Sequence, residues 1–208
     1  MLSKTKAVVH RYNRLAANYD ERWRGYLDST LSKALEIIGP CLDDIILDAG
    51  GGTGLLPDLM LRNNCRFRQY VIADLSPKML QRAVKTHKGD NNISYTLCDS
   101  HKLPFLSGSF TTVVSNSSLH YHQNLEQSLS EFYRVLQPSG KLIIVDWCND
   151  PLYFKLITRT LNLTSMPYLR PISSKDLSAA LNATGFKVEH LEKWYFGIFP
   201  LMILKTIK

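Results

Sequence analysis

The chain lacks any apolar stretch of the ~18 residues needed to cross a bilayer, so no membrane-spanning helix is expected. Its four cysteines are dispersed without a Cys-x-x-Cys pair, which favours reduced thiols over disulfides and predicts a cytoplasmic protein. The N-terminus has no sustained apolar core or cleavage site, so we expect no secretory signal. No repeat, low-complexity tract or linker interrupts the 208 residues, a length that suits one domain.

Acidic residues are in deficit, which leaves a formal net charge of +7. Six basic residues crowd the first 24 positions: Lys4, Lys6, Arg11, Arg14, Arg22 and Arg24. Such a balance could attract nucleic acid, anionic lipid or an acidic protein. The basic residues alternate with apolar ones at helical spacing, however, so we interpret them as a solvated helix face. We expect no stable nucleic-acid complex, and a peripheral contact with an anionic membrane stays open.

What the chain does have is a glycine turn between a predicted strand and a predicted helix. Residues 45–54 read IILDAGGGTG, so an apolar run of buried-strand length ends at Asp48 and glycines follow. The residues after them have helical spacing, with Pro57 tolerated in a first turn. Strand, glycine turn and helix open a nucleotide-binding βαβ unit, in which a ligand approaches bare backbone amides.

The spacing of the glycines narrows the ligand. A dinucleotide fingerprint needs a small residue at position 55, where this chain has Leu55, so a dehydrogenase is disfavoured. A phosphate-binding P-loop needs Gly-Lys-Ser/Thr, which does not occur in the sequence.

Strands and helices are predicted to alternate along the chain. The predicted strands cover residues 45–49, 69–73, 93–98, 110–115 and 141–147, with two closing strands in 186–196 and 201–207. The predicted helices cover 4–19, 26–38, 55–64, a segment that Ser76 and Pro77 open, about 123–137, 152–162 and 174–184. This alternation favours an α/β fold with a mostly parallel sheet and helices on both faces.

Three acids stand at the ends of three predicted strands: Asp48, Asp74 and Asp99. Ligands of open α/β sheets bind outside the carboxyl ends of the strands. Asp74 follows the second strand, where a carboxylate can accept hydrogen bonds from both ribose hydroxyls, as it also does in dinucleotide folds. Each acid alone could be a helix cap or a turn residue. Together with the glycine turn, the three indicate a ligand site.

The turn, Gly50-x-Gly52-x-Gly54 after an Asp, resembles the first motif of the class I S-adenosylmethionine (SAM)-dependent methyltransferases. Further segments resemble landmarks of the small-molecule branch related to ubiquinone/menaquinone C-methyltransferases, in the order of residues 12–20, 103–105, 109–110 and 134–140. The resemblance covers roughly residues 12–147. It implies a three-layer Rossmann-like sandwich with a seven-stranded sheet, an antiparallel C-terminal hairpin and N-terminal helices that cap the site. It divides a single domain of residues 1–208 into a cap (1–40), a SAM-binding core (45–147) and an acceptor-side lid with the hairpin (151–208).

The resemblance also implies a set of residues that bind SAM and release S-adenosylhomocysteine. This set comprises Tyr19, Asp48, Gly50, Gly51, Gly52, Asp74, Leu75, Met79, Asp99, Ser100, Ser115 and Asn116. Gly50 and Gly52 would face the methionine part of SAM, while Asp48 would order the loop and help hold the ammonium group. Ser115 or Asn116 would offer a backbone carbonyl to the same group.

The remaining residues of the set would hold the nucleoside. Asp74 would bind the ribose diol, and Leu75 and Met79 would pack on the adenine. Asp99, with Ser100 beside it, would accept from the adenine amino group, and Tyr19 would close over the cofactor.

Two positions depart from the family pattern. Gly51 stands where relatives often have Cys or Ala, and we expect it to loosen the turn slightly. Thr111 stands where relatives commonly have an Asp. That Asp is mostly structural in relatives, so we expect its absence to have little effect on function.

His120 and His122, just beyond the fourth strand, are the candidate catalytic residues. Histidine is the commonest general base, needed only where the methyl acceptor must lose a proton. The two side chains could instead cap the following helix. We predict no metal site, because no third ligand lies at a recognisable spacing from the His-x-His pair.

Seven aromatic residues concentrate where the family builds its acceptor lid: Trp147, Tyr153, Phe154, Tyr168, Trp194, Tyr195 and Phe196. Core packing explains some of them, and the surplus suggests an apolar or aromatic acceptor pocket. The favoured function is methyl transfer from SAM to a small, apolar or aromatic molecule. The alternatives are methylation of a lipid headgroup, RNA or protein, and a non-catalytic SAM-binding scaffold. The sequence predicts neither the acceptor nor the oligomeric state.

Overall fold

The computed structural model describes residues 2–39, 41–163 and 169–208. Tyr168, one of the seven aromatic residues expected in the acceptor lid, lies outside these ranges. The helices are α1 (Leu2–Leu15), α2 (Tyr19–Arg22), α3 (Arg24–Ile38), α4 (Leu55–Arg62), α5 (Pro77–Thr86), α6 (Leu125–Val135), α7 (Leu152–Leu163) and α8 (Ser174–Thr184). The strands are β1 (Cys41–Ala49), β2 (Phe67–Asp74), β3 (Ile93–Leu97), β4 (Phe110–Asn116), β5 (Leu136–Trp147), β6 (Lys187–Phe196) and β7 (Phe199–Ile207).

The seven strands form one sheet in the order β3-β2-β1-β4-β5-β7-β6. The first five strands are parallel, and β7 runs antiparallel to both β5 and β6. This confirms the predicted fold class. The strand order reverses between β1 and β4, and in open α/β sheets such a switch point opens a crevice for ligands at the carboxyl ends of the strands.

Alternate residues of each strand feed two hydrophobic layers, because neighbouring side chains point to opposite faces of a sheet. On β1, Ile46 packs in the layer that contains α3, α4 and α5, whereas Leu47 packs in the layer that contains α6 and α8. Both side chains are fully buried, so β1 is central and its carboxyl end is held rigidly.

Several helix ends follow the predicted chemistry. The Ser76 hydroxyl accepts from the backbone N–H of Met79 at 3.3 Å, which confirms it as the cap of α5 with Pro77 in the first turn. Gly185 ends α8 with φ +106°, a conformation that favours glycine.

None of the described helices has the length and apolarity to span a membrane.

The structure corrects two predicted boundaries. The single helix predicted over 4–19 is two helices, because the Arg82 guanidinium donates to the carbonyls of Ala16 and Ala17 and holds the chain in a turn. The strand predicted from residue 141 begins at Leu136, which pairs with Phe110 before a shift in register. Pro138 and Gly140 flank Ser139, which has φ +62°, so their preference for a turn appears as an irregularity within β5.

Candidate active site

The glycine turn after β1 folds against the end of β2. The N–H groups of Gly50 and Gly51 donate to the carbonyl of Ala73 at 2.8 and 3.2 Å. Gly50 and Gly52 have φ of +83° and +57°, which side chains rarely adopt. A Cβ at Gly50 would lie 2.5 Å from Cβ of Ser118 at the end of β4, so the two loops approach at backbone level.

Asp48 lies buried beneath this turn. A Cβ at Gly51 would lie 2.7 Å from the Asp48 carboxyl carbon, so the glycine makes room for this carboxyl group. One carboxyl oxygen accepts from the Tyr70 hydroxyl at 2.9 Å, and the other has no hydrogen-bond partner among the described residues. Burial raises the pKa of Asp48 to about 7, against the opposing hydrogen bond from Tyr70. A side chain at position 51 would therefore clash with the Asp48 carboxyl group.

Asp74 shapes the turn from the end of β2. Its carboxyl oxygens accept from the N–H of Gly52 at 3.0 Å and from the N–H of Ser76 at 2.7 Å. Burial raises its pKa, against the opposing effect of these N–H groups. Asp99 after β3 accepts from both the backbone N–H (2.9 Å) and the ring Nδ1 (2.5 Å) of His101, whose hydrogen bonding lowers the pKa of Asp99.

A cavity opens over the glycine turn, and we call it the glycine-loop cavity. It is lined by Thr5, Val8, Val9, Tyr12, Tyr19, Gly50, Gly52, Asp74, Leu75, Ser76, Met79, Cys98, Asp99, Ser100, His101, Asn116, Ser117, Ser118, Tyr121, His122 and Gln123. Nine of the twelve residues predicted to bind the cofactor lie on this wall.

The other three predicted residues lie behind it. Asp48 and Gly51 line a smaller neighbouring cavity beneath the turn. Ser115 is buried, and its hydroxyl pairs with the Ser118 hydroxyl at 2.9 Å. Of the two candidates at the end of β4, Asn116 therefore reaches the cavity and Ser115 does not. The Asn116 Oδ1 is buried and has no partner within the described ranges.

The N-terminal helical cap that was expected forms one wall of the cavity, although its residues on α1 were not predicted individually. Thr5, Val8, Val9 and Tyr12 of α1 face the glycine turn. Their spacing of three and four residues places them on one side of a helix, and that periodicity was an available signal. His101 was missed as well, although it follows Asp99 by two positions.

Polar contacts fasten the N-terminal helices over the cavity. The Asn13 side chain accepts from the Ser76 hydroxyl at 2.8 Å. Asp20 accepts from the Thr53 hydroxyl at 2.6 Å and pairs with the Arg82 guanidinium at 2.8 Å. The helices thus dock on both the glycine turn and α5.

His122 lies in the glycine-loop cavity. Its Nδ1 is 2.9 Å from the Ser128 hydroxyl, and its ring lies 5.4 Å from that of His101. Burial and the nearby His101 lower the pKa of His122 to about 4, so it is neutral at pH 7.

His120 lies elsewhere, in a second cavity that we call the aromatic cavity. This cavity is lined by Tyr12, Tyr19, Trp23, Tyr26, Ser117, His120, Tyr121, Trp147, Phe196 and Phe199. His120 Nδ1 is 2.5 Å from Oδ1 of Asp146, a residue that the sequence analysis did not single out. The His120 ring is stacked on Trp147 at 4.8 Å and 10°.

The predicted aromatic lid is only partly on the wall of the aromatic cavity. Trp147 and Phe196 line it, and the fully buried Phe154 supports Trp147 from behind at 5.7 Å. Tyr153 and Tyr195 are exposed, and Trp194 donates to the Ser29 hydroxyl at 3.0 Å. Trp23, Tyr26 and Phe199 complete the wall instead.

Cys65, Cys98 and Cys148 form no disulfide bond with any described residue. Throughout residues 2–39, 41–163 and 169–208, no three His, Cys, Asp or Glu side chains cluster so that they could hold a metal ion.

The glycine-loop cavity fits an adenosyl-amino acid. Gly50 and Gly52 present backbone to the cavity, the space where a Cβ of Gly52 would stand is open apart from the Met79 methyl group at 3.4 Å, and Asp74 offers carboxylate oxygens beside them. Leu75 and Met79 supply an apolar surface for a base, and the orphan Asn116 oxygen can accept from an ammonium group.

Comparison with known proteins agrees with this geometry. Residues 47–144 match the model of a methyltransferase domain. The chain is 28% identical over 202 residues to the ubiquinone/menaquinone biosynthesis C-methyltransferase UbiE of Blochmanniella pennsylvanica, covering 90% of this chain and 76% of that protein. It is 31% identical over 157 residues to the UbiE of Desulfotalea psychrophila, covering 70% of this chain but 60% of that protein.

A solved SAM-dependent methyltransferase from Mesorhizobium loti has the same fold. It superimposes with a TM-score of 0.73 at 20% identity, covering 88% of this chain and all of that one (100%). The domain match, the relatives and the shared fold together support a class I SAM-dependent methyltransferase. Within this class it is related to the ubiquinone/menaquinone C-methyltransferases.

Proposed function

We propose that this protein transfers the methyl group of SAM to a small, planar aromatic acceptor, with SAM in the glycine-loop cavity and the acceptor in the aromatic cavity. One observation carries the proposal: the two cavities share a wall of Tyr12, Tyr19, Ser117 and Tyr121. Two ligands on either side of so thin a wall would meet once these side chains adjust.

The chain's own residues would bind and orient the cofactor. Gly50 and Gly52 would present backbone to its amino-acid part, with Asn116 accepting from the ammonium group. Asp74 would accept from the ribose hydroxyls, and Leu75 and Met79 would cover the adenine. When bound, SAM supplies an activated methyl group on a sulfonium centre.

The aromatic cavity would orient the acceptor and exclude water. Holding two reactants in line at contact distance supplies much of the acceleration of a transfer reaction. Trp23, Trp147 and Phe199 offer flat apolar surfaces on which a planar ring can stack. In this proposal residues 1–40 cap the cofactor and residues 151–208 complete the acceptor side.

His120 is the candidate general base. Asp146 accepts from Nδ1–H of the neutral imidazole, which leaves Nε2 with a free lone pair. Nε2 has no hydrogen-bond partner among the described residues, and the ring lines the aromatic cavity. A phenolic hydroxyl in this cavity would give its proton to Nε2, leaving negative charge on the oxygen and on ring carbons. The oxygen or one of these ring carbons could then attack the methyl group as a nucleophile.

Two curated relatives are named for ubiquinone and menaquinone biosynthesis, and we extend a quinone-like ring to this chain on that basis. A reduced quinone is a planar aromatic ring with phenolic hydroxyls, which matches both the aromatic wall and a base. Lipid headgroups and RNA bases lack this combination of a planar aromatic ring and phenolic hydroxyls.

Calorimetric titration tests the cofactor half of the proposal. SAM and S-adenosylhomocysteine should bind with a Kd on the order of micromolar, and NAD should not bind. Binding of NAD, or of none of the three, would contradict it.

Turnover tests the acceptor half. Release of S-adenosylhomocysteine should be measured with hydroquinones and naphthols, and in parallel with phosphatidylethanolamine vesicles and with RNA. We expect turnover on the ring compounds alone. Binding of SAM without turnover on any of them would instead favour a scaffold.

A further inference from the structure

A third cavity, the arginine cavity, adjoins the aromatic cavity. The two share Trp23, Trp147 and Phe199. Arg11, Arg14 and Arg22 line the remainder, and no carboxylate is among the described residues on its wall. Three positive charges therefore surround the space beside the proposed ring site.

Two of these charges, on Arg14 and Arg22, have no carboxylate partner among the described residues. Both side chains are exposed. The Asp20 carboxylate instead pairs with Arg82 and accepts a hydrogen bond from Thr53. Arg14 follows Arg11 by one helical turn, so both point to the same side of α1.

The positive charge of Arg11 acts on tyrosines that line the ring site. Burial raises the pKa of Tyr12, Tyr19 and Tyr121, and the positive charge of Arg11 opposes the shift at all three. The same charge would favour any anion that enters from this side.

We propose that the arginine cavity binds an anionic group, a carboxylate or a phosphate, carried by the acceptor whose ring occupies the aromatic cavity. This inference rests on the proposed function and narrows its acceptor to an acidic aromatic molecule. Arginine suits this role because its planar fork pairs with carboxylate and phosphate in a bidentate manner. The methylated position would lie at the end of the ring remote from the anion, toward His120.

A soluble acid and an anionic lipid headgroup could both supply such a group. The arginines line a concavity that borders the ring site at Trp23, Trp147 and Phe199, rather than an outward ridge, which favours an acid that is part of the acceptor. The experiment separates the two sources.

Matched probes test the inference: 6-hydroxy-2-naphthoate and its neutral carboxamide, titrated by fluorescence into the protein saturated with S-adenosylhomocysteine. The naphthoate should bind roughly 10-fold to 100-fold more tightly, the effect expected of a charge-assisted pair. The double variant Arg14→Gln/Arg22→Gln should lose this ratio and keep its affinity for the carboxamide. The control Lys6→Gln/Arg24→Gln removes the same charge at exposed positions outside the three cavities and should keep the ratio.

Equal binding of the two probes to the natural protein, or a ratio that survives in the double variant, would overturn the inference. So would flotation with phosphatidylglycerol vesicles, but not phosphatidylcholine vesicles, that depends on Arg14 and Arg22 without any naphthoate preference. If S-adenosylhomocysteine binds and neither probe does, the aromatic acceptor itself is wrong. If S-adenosylhomocysteine does not bind, the proposed function fails at the cofactor.

Discussion

His120 and Asp146 form a buried pair at the carboxyl end of the sheet. Oδ1 of Asp146 lies 2.5 Å from Nδ1 of His120, while Oδ2 accepts from the His120 backbone N–H at 3.2 Å. Oδ1 also accepts from the Trp147 N–H at 2.6 Å. These contacts fix the plane and the tautomer of the imidazole before any acceptor arrives, so less reorganisation is left for the reaction.

If the acceptor must lose a proton, His120→Gln should lower kcat by a factor of ~10²–10⁴, the range for general-base catalysis. The affinity for SAM should stay unchanged, because His120 does not line the glycine-loop cavity. Steady-state kinetics on a hydroquinone and calorimetry with SAM measure the two effects. Asp146→Asn should act in the same direction, because it disturbs the tautomer.

His190→Gln provides the matched control, since this half-exposed histidine lies on β6 outside the three cavities. Full activity of His120→Gln on an acceptor known to need deprotonation would exclude His120 as the base. Tyr19, or a water molecule, would then be the next candidate.

The cofactor side could be predicted because its signals are local. Each of these signals can be recognised within a few residues: the glycines at 50, 52 and 54, and the acids at the strand ends. The order of the strands in the sheet then brings them together. His120 and Asp146 are 26 residues apart with no pattern that joins them. Only the register of β4 beside β5 places Asp146 next to the loop after β4.

Asp74→Ala should weaken SAM binding by roughly 1–3 kcal/mol, since it removes the acceptor for the ribose hydroxyls and leaves the N–H of Gly52 unpaired. Calorimetry measures the affinity, and thermal unfolding checks that the fold persists. Asp43→Asn, an exposed acid on β1, should change neither. An unchanged affinity in Asp74→Ala would place the ribose elsewhere.

Gly52→Val should abolish SAM binding. The residue has φ +57°, which a β-branched side chain tolerates poorly, and the added atoms would fill the space beside the Met79 methyl group, already 3.4 Å from a Cβ. Gly108→Val imposes a similar backbone strain at φ +68° with nothing within 4 Å. It should cost stability and still bind SAM in the same titration. Normal binding by Gly52→Val would mean that the ligand does not contact this turn.

The clustering of the N-terminal arginines could not be predicted from the sequence pattern. Helical spacing correctly placed Arg11 and Arg14 on a helix, and a solvated face was the expected consequence. The break at residues 16–18 was not visible, because it depends on Arg82, some 66 residues away. That break turns Arg22 back toward α1, so three of the six basic residues converge on one cavity.

Asp48 should make stability fall as the pH rises. In the folded protein its pKa is about 7, because of burial, whereas in an unfolded chain it is about 3.9. Between these values the folded state holds a proton that the unfolded state has lost. Raising the pH therefore favours unfolding, and the stabilisation present below the unfolded pKa is lost by the time the pH passes the folded one.

Asp48→Asn removes this titration while keeping the shape of the side chain. Urea unfolding without SAM at pH 4.5 and 7.5 should show the natural protein losing on the order of 1–4 kcal/mol more than Asp48→Asn over this interval. Asp58→Asn should follow the natural protein, because its ion pair with Arg62 on the surface of α4 contributes little. Parallel curves for the natural protein and Asp48→Asn would mean that the carboxyl group beneath Gly51 is ionised throughout, and that the turn encloses a charge rather than a neutral acid.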